Sequence, residues 1–198
     1  MQIKSPGRLL QTPPLPAYVL AAWPFERRKA LKQQFKNGEL TELEFDAVVY
    51  HHGPNSNHVI FRDEELEAFA ASFTDVPFLR NHDVDDVASR DGTVIASRME
   101  GPDMLQTIRL TTDRGIKDFL DGIIDRFSIS WYWSSIECSI CHDNWLLCEH
   151  QPGQAYPETG STEPCSLIFN KPRGKETSAV NAPAVPDTHI LAALAQLK

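Results

Sequence analysis

The four cysteines of the chain, Cys138, Cys141, Cys148 and Cys165, are gathered in one polar stretch that begins near Ser135. Cys138-x2-Cys141 is followed by Cys148-x-His150, and the remainder carries Pro152, Gly153, Pro157 and Gly160. A segment of this make-up has too few apolar side chains to pack a core of its own, so a bound ion is the expected source of its order. Tetrahedral zinc takes four thiolate or imidazole ligands, and a Cys-x2-Cys turn offers two of them to one ion. Cys138, Cys141 and Cys148 supply three ligands, and either His150 or Cys165 completes the set. A closed four-ligand shell leaves no open position for water, so the expected role is structural. Disulfide pairing is the rival reading. No apolar run followed by small residues marks the N-terminus as a secretory signal, so reduced thiols in an intracellular protein are expected. His142, beside Cys141, reads as a surface residue.

The core must therefore come from the rest of the 198 residues, a length that suits one domain with an appendage. Hydrophobic residues make up 41%, enough for an ordinary globular interior. A net charge of −8 argues against general nucleic-acid binding, which needs a basic footprint. No apolar run is long enough to span a membrane, so a membrane location is not expected. Pro6, Pro13, Pro14, Pro16 and Pro24 break the beginning of the chain into extended pieces, and Arg27, Arg28, Lys29, Lys32 and Lys36 follow. This predicts an arm and a short basic helix over residues 1–40, then one domain over 41–198 with the Cys/His insert at about 135–165.

Within that domain Leu43, Phe45, Ala47 and Val49 recur with a strand's period of two. Asp63, Glu64 and Glu65 open a helical pattern that places Leu66, Phe69, Ala70 and Phe73 on one face. Strands are predicted over Thr93–Met99 and Met104–Leu110, and a helix over Asp113–Asp121 with Gly122 near its end. Arg126–Ser134 alternates again, with Phe127, Ile129, Trp131 and Trp133 on one face and Ser128, Ser130, Tyr132 and Ser134 on the other. Further strands are read at Ser166–Phe169 and Glu176–Val180, and a closing helix near Asp187–Leu197. Strands outnumber helices and alternate with them irregularly. The expected class is α+β, a small barrel or curled sheet with helices packed outside and an inserted metal-knuckle loop.

A serine hydroxyl becomes a useful nucleophile only when a base takes its proton. Of the seven histidines, His51, His52 and His58 fall in a polar turn and His189 near the C-terminus. His82 stands apart, because it follows a short apolar stretch and is flanked by Asn81 and Asp83. Ser128 sits mid-strand among large apolar neighbours, a place where a serine is ordinarily just part of the polar face.

Four runs of residues carry a resemblance. They are Pro77-Phe78-Leu79-Arg80-Asn81-His82-Asp83; Gly92-Thr93-Val94; Ile123-Ile124-Asp125-Arg126-Phe127-Ser128-Ile129-Ser130; and Glu176-Thr177-Ser178-Ala179-Val180-Asn181-Ala182-Pro183-Ala184. In this order the chain resembles the phage prohead protease family over roughly residues 42–190. That family's pattern is an apolar-x-x-His-Asp, a Gly-x-Val strand, a Ser-Ile-Gly strand and a Glu-x-Ser-x-Val-x-x-Pro-Ala close. Some members carry a Cys-x2-Cys and Cys-x-His insert before the close, with Pro-Gly and Tyr after it, as Pro152, Gly153 and Tyr156 stand here.

The resemblance implies a fold like the herpesvirus assemblins, a β-barrel ringed by helices. It implies a serine endopeptidase that processes scaffold and major capsid proteins, and itself in some cases, inside the prohead in the bacterial host's cytoplasm. The family's nucleophile falls on Ser128 and its histidine on His82. Glu176, which opens the closing strand, is the expected third member, orienting the imidazole and stabilising the imidazolium. Ser130 stands where the family has glycine, a departure that bears on the oxyanion site, and it shares a strand face with Ser128 as an alternative nucleophile. The rival from another class is a catalytically silent capsid-assembly or scaffold protein of the same fold. A nucleic-acid adaptor fits poorly, since Glu137, Asp143 and Glu149 stand in the cysteine segment without a Lys or Arg among them. The partners expected are phage proteins and further copies of the chain, with no membrane and no nucleic acid.

Overall fold

A computed structural model of the protein describes residues 25–53 and 55–195, so the proline-rich arm falls outside the described residues. The chain runs α1 (Phe25–Lys36), β1 (Leu43–His51), β2 (Val59–Phe61), α2 (Leu66–Ala71), β3 (Pro77–Arg80), β4 (Gly92–Glu100) and β5 (Asp103–Leu110). It continues through α3 (Asp113–Asp121), β6 (Phe127–Tyr132), β7 (Ser135–Cys138), β8 (Leu167–Asn170), β9 (Arg173–Ala179) and β10 (His189–Ala195). Seven strands form one sheet in the order β10-β1-β5-β4-β3-β9-β6, and β2-β8-β7 form a small second sheet. Among the described residues no helix is long and apolar enough to cross a membrane.

The large sheet is curled into a half-barrel, and its aromatic core shows why. β1 and β6 lie five steps apart in the sheet order, which in a flat sheet at ~4.8 Å per strand would separate them by roughly 24 Å. Yet the rings of Phe45 on β1 and Phe127 on β6 stack with centroids 5.6 Å apart, and Phe78 of β3 meets Phe45 edge-on at 6.1 Å. Phe119 of α3 stacks on the same Phe45 ring at 4.5 Å, so one helix covers the cluster that the curled sheet brings together. A second aromatic group, Phe61, Phe69, Trp131 and Phe169, joins the small sheet to α2 and β6. The class is α+β with few helices.

Local chemistry explains most element ends. Thr112 caps α3 by accepting the amide of Gly115, and Gly122 closes that helix in the left-handed region at φ 78°. Gly92 opens β4 because the strand runs hard against β5: a Cβ there would lie 2.0 Å from the Arg109 carbonyl oxygen. The helical pattern after Asp63 begins as a short 3-10 turn, Asp63–Glu65, before α2.

One expected element is different. Where a closing helix is expected near Asp187–Leu197, the described residues His189–Ala195 form a strand. His189–Ala195 pairs antiparallel with β1, with Phe45 opposite Ala193 and Leu43 opposite Ala195. The alanine- and leucine-rich run has helical propensity, but β1 presents an open edge there, and a ladder of backbone hydrogen bonds outweighs a few tenths of a kcal/mol per residue of propensity.

Candidate active site and metal cluster

β9 lies between β3 and β6, parallel to the first and antiparallel to the second. Its registers put Leu79 beside Ser178 on one side, and Ser128 opposite Ser178 and Ser130 opposite Glu176 on the other. Because side chains alternate along a strand, Glu176, Ser178, Ser128 and Ser130 all share one face. A bulge follows Ser130, after which Trp131 pairs with Gly174.

His82 arrives on this face by a tight turn beyond the end of β3. Asn81 and His82 take φ of 49° and 59°, and the Asp83 amide donates to the Arg80 carbonyl across the turn. Positive φ at both central residues is the pattern of a type I′ turn, and Asn and His tolerate that region better than most side chains. Beneath the turn Arg80 is paired with the fully buried Asp91 and, at 2.8 Å, with Asp118. Asp91 also accepts from Thr112 at 2.8 Å and from Arg114 at 2.9 Å, so its buried charge is fully engaged.

His82 Nδ1 lies 2.6 Å from Glu176 Oε1. The glutamate side chain is fully buried while the imidazole remains 38% exposed. With the carboxylate ionised, and therefore only accepting, this contact takes the ring proton on Nδ1 and leaves the Nε2 lone pair available. The other carboxylate oxygen, Oε2, accepts from Ser178 Oγ at 2.6 Å. Buried with both oxygens bonded, Glu176 has one geometry.

A cavity of about 250 Å³ opens beside this pair, lined by His82, Ser128 and Ser130 with Tyr50, Trp131 and Asn57 among its other walls. Burial pushes the Tyr50 phenol up to about 12, against the opposing effect of the Gly53 amide, so it is neutral there. Of the three residues expected as a triad, His82 and Ser128 thus line one cavity, and Glu176 lies buried behind His82. Among the described residues no hydrogen bond joins Ser128 Oγ to His82. Four other histidines have partners of their own: His51 with Asp103, His52 with Asp63, His142 with Glu137 and His189 with the Asp187 carbonyl. Asp83, the neighbouring acid, is occupied by the amides of Asp85 and Asp86. Ser178 joins these residues although the sequence analysis does not single it out; its signal there is the Glu-x-Ser spacing, which on a strand turns both side chains to the same side.

The cysteine segment leaves β7 at Cys138 and returns to β8 just after Cys165. The ligand atoms of Cys138, Cys141, Cys148 and His150 all lie within 4.8 Å of one another. Cys138 Sγ is 3.5 Å from His150 Nδ1 and 3.7 Å from Cys165 Sγ. Tetrahedral zinc with ~2.3 Å bonds to sulfur and ~2.0 Å to nitrogen requires a sulfur–nitrogen edge of roughly 3.5 Å, which Cys138 and His150 meet. Burial pushes the Cys138 thiol up, but the Cys141 and Ile140 amides and the neighbouring thiols outweigh it and bring it down to about 6. Burial and the adjacent Cys138 push Cys165 up to about 12. Three thiols and an imidazole converge, a donor set that could hold one metal ion, with Cys165 packed against Cys138 at its inner edge. The Trp145 indole donates to the His150 carbonyl at 3.2 Å, and Tyr156 meets the imidazole edge-on at 4.4 Å, so the histidine's place is fixed from both sides.

Comparison with protein-family models, curated proteins and solved structures found no match to this chain.

Proposed function

We propose that the chain is a serine endopeptidase of the prohead-protease kind, acting on scaffold and major capsid proteins inside the assembling particle in the bacterial host. The observation that carries this reading is the buried Glu176 carboxylate bonded at 2.6 Å to the Nδ1 of a partly exposed His82, on the sheet face that bears Ser128. Burying a carboxylate is costly unless it is bonded, and this one directs an imidazole toward a cavity containing a serine. In this reading His82 Nε2 takes the Ser128 proton as Oγ attacks the peptide carbonyl, and Glu176 stabilises the resulting imidazolium. The proton then passes to the departing amine, and water reverses the sequence to release the acyl group. The half-barrel is the assemblin-like scaffold that the resemblance implies. The Cys/His cluster holds a structural zinc ion that orders the insert.

The test is co-expression with the neighbouring major capsid protein, comparing wild type with Ser128→Ala. Shortened capsid protein is expected only with the wild type, and an uncut product with both would remove the reading. A silent assembly protein of the same fold is the second reading, favoured by the missing Ser128–His82 hydrogen bond and by Ser130 in place of the family's glycine. It predicts no cleavage by either chain, with capsid assembly still dependent on the protein.

A further inference from the structure

Ser178 makes two hydrogen bonds with one hydroxyl. Its Oγ donates to Glu176 Oε2 at 2.6 Å and accepts the backbone amide of His82 at 3.0 Å. The side chain is fully buried, directly opposite Ser128 on the neighbouring strand. A hydroxyl rotates freely about one bond, but here both its proton and its lone pair have fixed destinations. We infer that Ser178 is a positioning residue that locks the His82–Glu176 pair, holding the acid by its free oxygen and the histidine by its backbone.

The backbone contact is the unusual half. His82 sits at φ 59°, a region that costs a side-chain-bearing residue free energy and is retained only where its surroundings over-determine it. The Asn81 amide is held by the Ala179 carbonyl at 2.9 Å and the Asp83 amide by the Arg80 carbonyl at 3.0 Å. Between them the His82 amide has no carbonyl partner, and the serine hydroxyl takes that place. The turn is therefore fastened to β9 at Ala179 and Ser178, while the imidazole is fastened at Glu176. Without the hydroxyl the part-buried His82 amide and the fully buried Glu176 Oε2 both lose a partner. His82 then keeps only its side-chain attachment to β9, and its Nε2 no longer has a fixed direction. Alanine at this position leaves the strand and its core packing in place, because the change removes a single oxygen.

This inference rests on the endopeptidase reading for its kinetic consequence but not for its structural one, and the test separates them. Amide hydrogen exchange by NMR on the full chain compares wild type, Ser178→Ala and Ser178→Thr. In Ser178→Ala the His82 amide should exchange roughly tenfold faster, the worth of about one lost hydrogen bond, while the Asn81 amide keeps its wild-type rate. Ser178→Thr retains the hydroxyl and should restore slow exchange at His82. In the capsid-cleavage assay Ser178→Ala should lower kcat by roughly tenfold to a hundredfold with KM unchanged, as expected when orientation alone is lost. Unchanged His82 exchange in Ser178→Ala, or equal acceleration at Asn81 and His82, overturns the inference. Should the alanine variant fail to fold, a folded Ser178→Thr with fast His82 exchange overturns it equally. Absence of cleavage by wild type removes the endopeptidase reading, while the exchange rates still decide the role of Ser178.

Discussion

Glu176 reaches His82 across 94 positions of sequence, and its carboxylate meets the imidazole from inside the sheet, with no solvent on the acid and 38% exposure on the base. That asymmetry suits a carboxylate that orients a proton carrier without exchanging protons with water itself. Replacing it by glutamine keeps the shape and removes the charge. Glu176→Gln should lower kcat by about three to four orders of magnitude, the scale seen when the acid of such a triad is neutralised. Its thermal midpoint should stay within a few degrees of wild type, which calorimetry can check.

Ser128 and Ser130 share a face and a cavity, so the two serines need to be told apart by experiment. Ser128→Ala should abolish cleavage with no change in the unfolding transition, since only a hydroxyl is lost. Ser130→Ala should retain cleavage within about tenfold. The reverse pattern would transfer the nucleophile's role to Ser130.

The purified protein should carry about one zinc ion per chain, measurable by atomic emission. Cys148→Ser and His150→Ala should lose it, whereas Cys165→Ala should retain it, because Cys165 lies outside the group that converges within 4.8 Å. The Cys138 thiol, brought down to about 6, is ionised at neutral pH. Bound zinc holds its thiolates deprotonated below the pKa they have without it, so zinc loss followed by a chromogenic chelator should stay absent at pH 6 and above and begin only in more acid solution. Chelation should loosen the segment from Ser135 to Cys165 first and leave the half-barrel folded.

Asp91 is fully buried and shared among Arg80, Arg114 and Thr112 directly under the His82 turn. Asp91→Ala removes the carboxylate these three side chains share, while Arg80 keeps Asp118 and Arg114 is half exposed, so it should destabilise the domain by about 1–3 kcal/mol in denaturant unfolding. Where the variant still folds, cleavage should fall with it, because the end of β3 loses its anchor.

Phe45 of β1 meets one ring each from β3, β6 and α3. Phe45→Ala should cost about 3–5 kcal/mol through lost burial and a cavity that the curled sheet cannot close. Urea denaturation measures it directly.

Much of this was legible before any tertiary information. The period-two pattern at Phe127–Tyr132 placed Ser128 and Ser130 on one face, and the apolar spacing at Asp113–Asp121 marked a helix ending at Gly122, because those signals come from the geometry of a single element. The gathering of Cys138, Cys141, Cys148 and Cys165 marked a metal-type cluster, since thiols that converge in space were also neighbours in sequence. Other features depended on partners far along the chain. The strand at His189–Ala195 exists because β1 offers an edge, and its alanine and leucine content locally favours a helix. The pairing of His82 with Glu176, and the seat of Ser178 between them, follow from β9 entering between β3 and β6. A sequence states which way a side chain leaves its own strand. Which strand lies alongside is decided by the burial of Phe45, Phe78, Phe119 and Phe127 together, a free energy that belongs to the whole half-barrel.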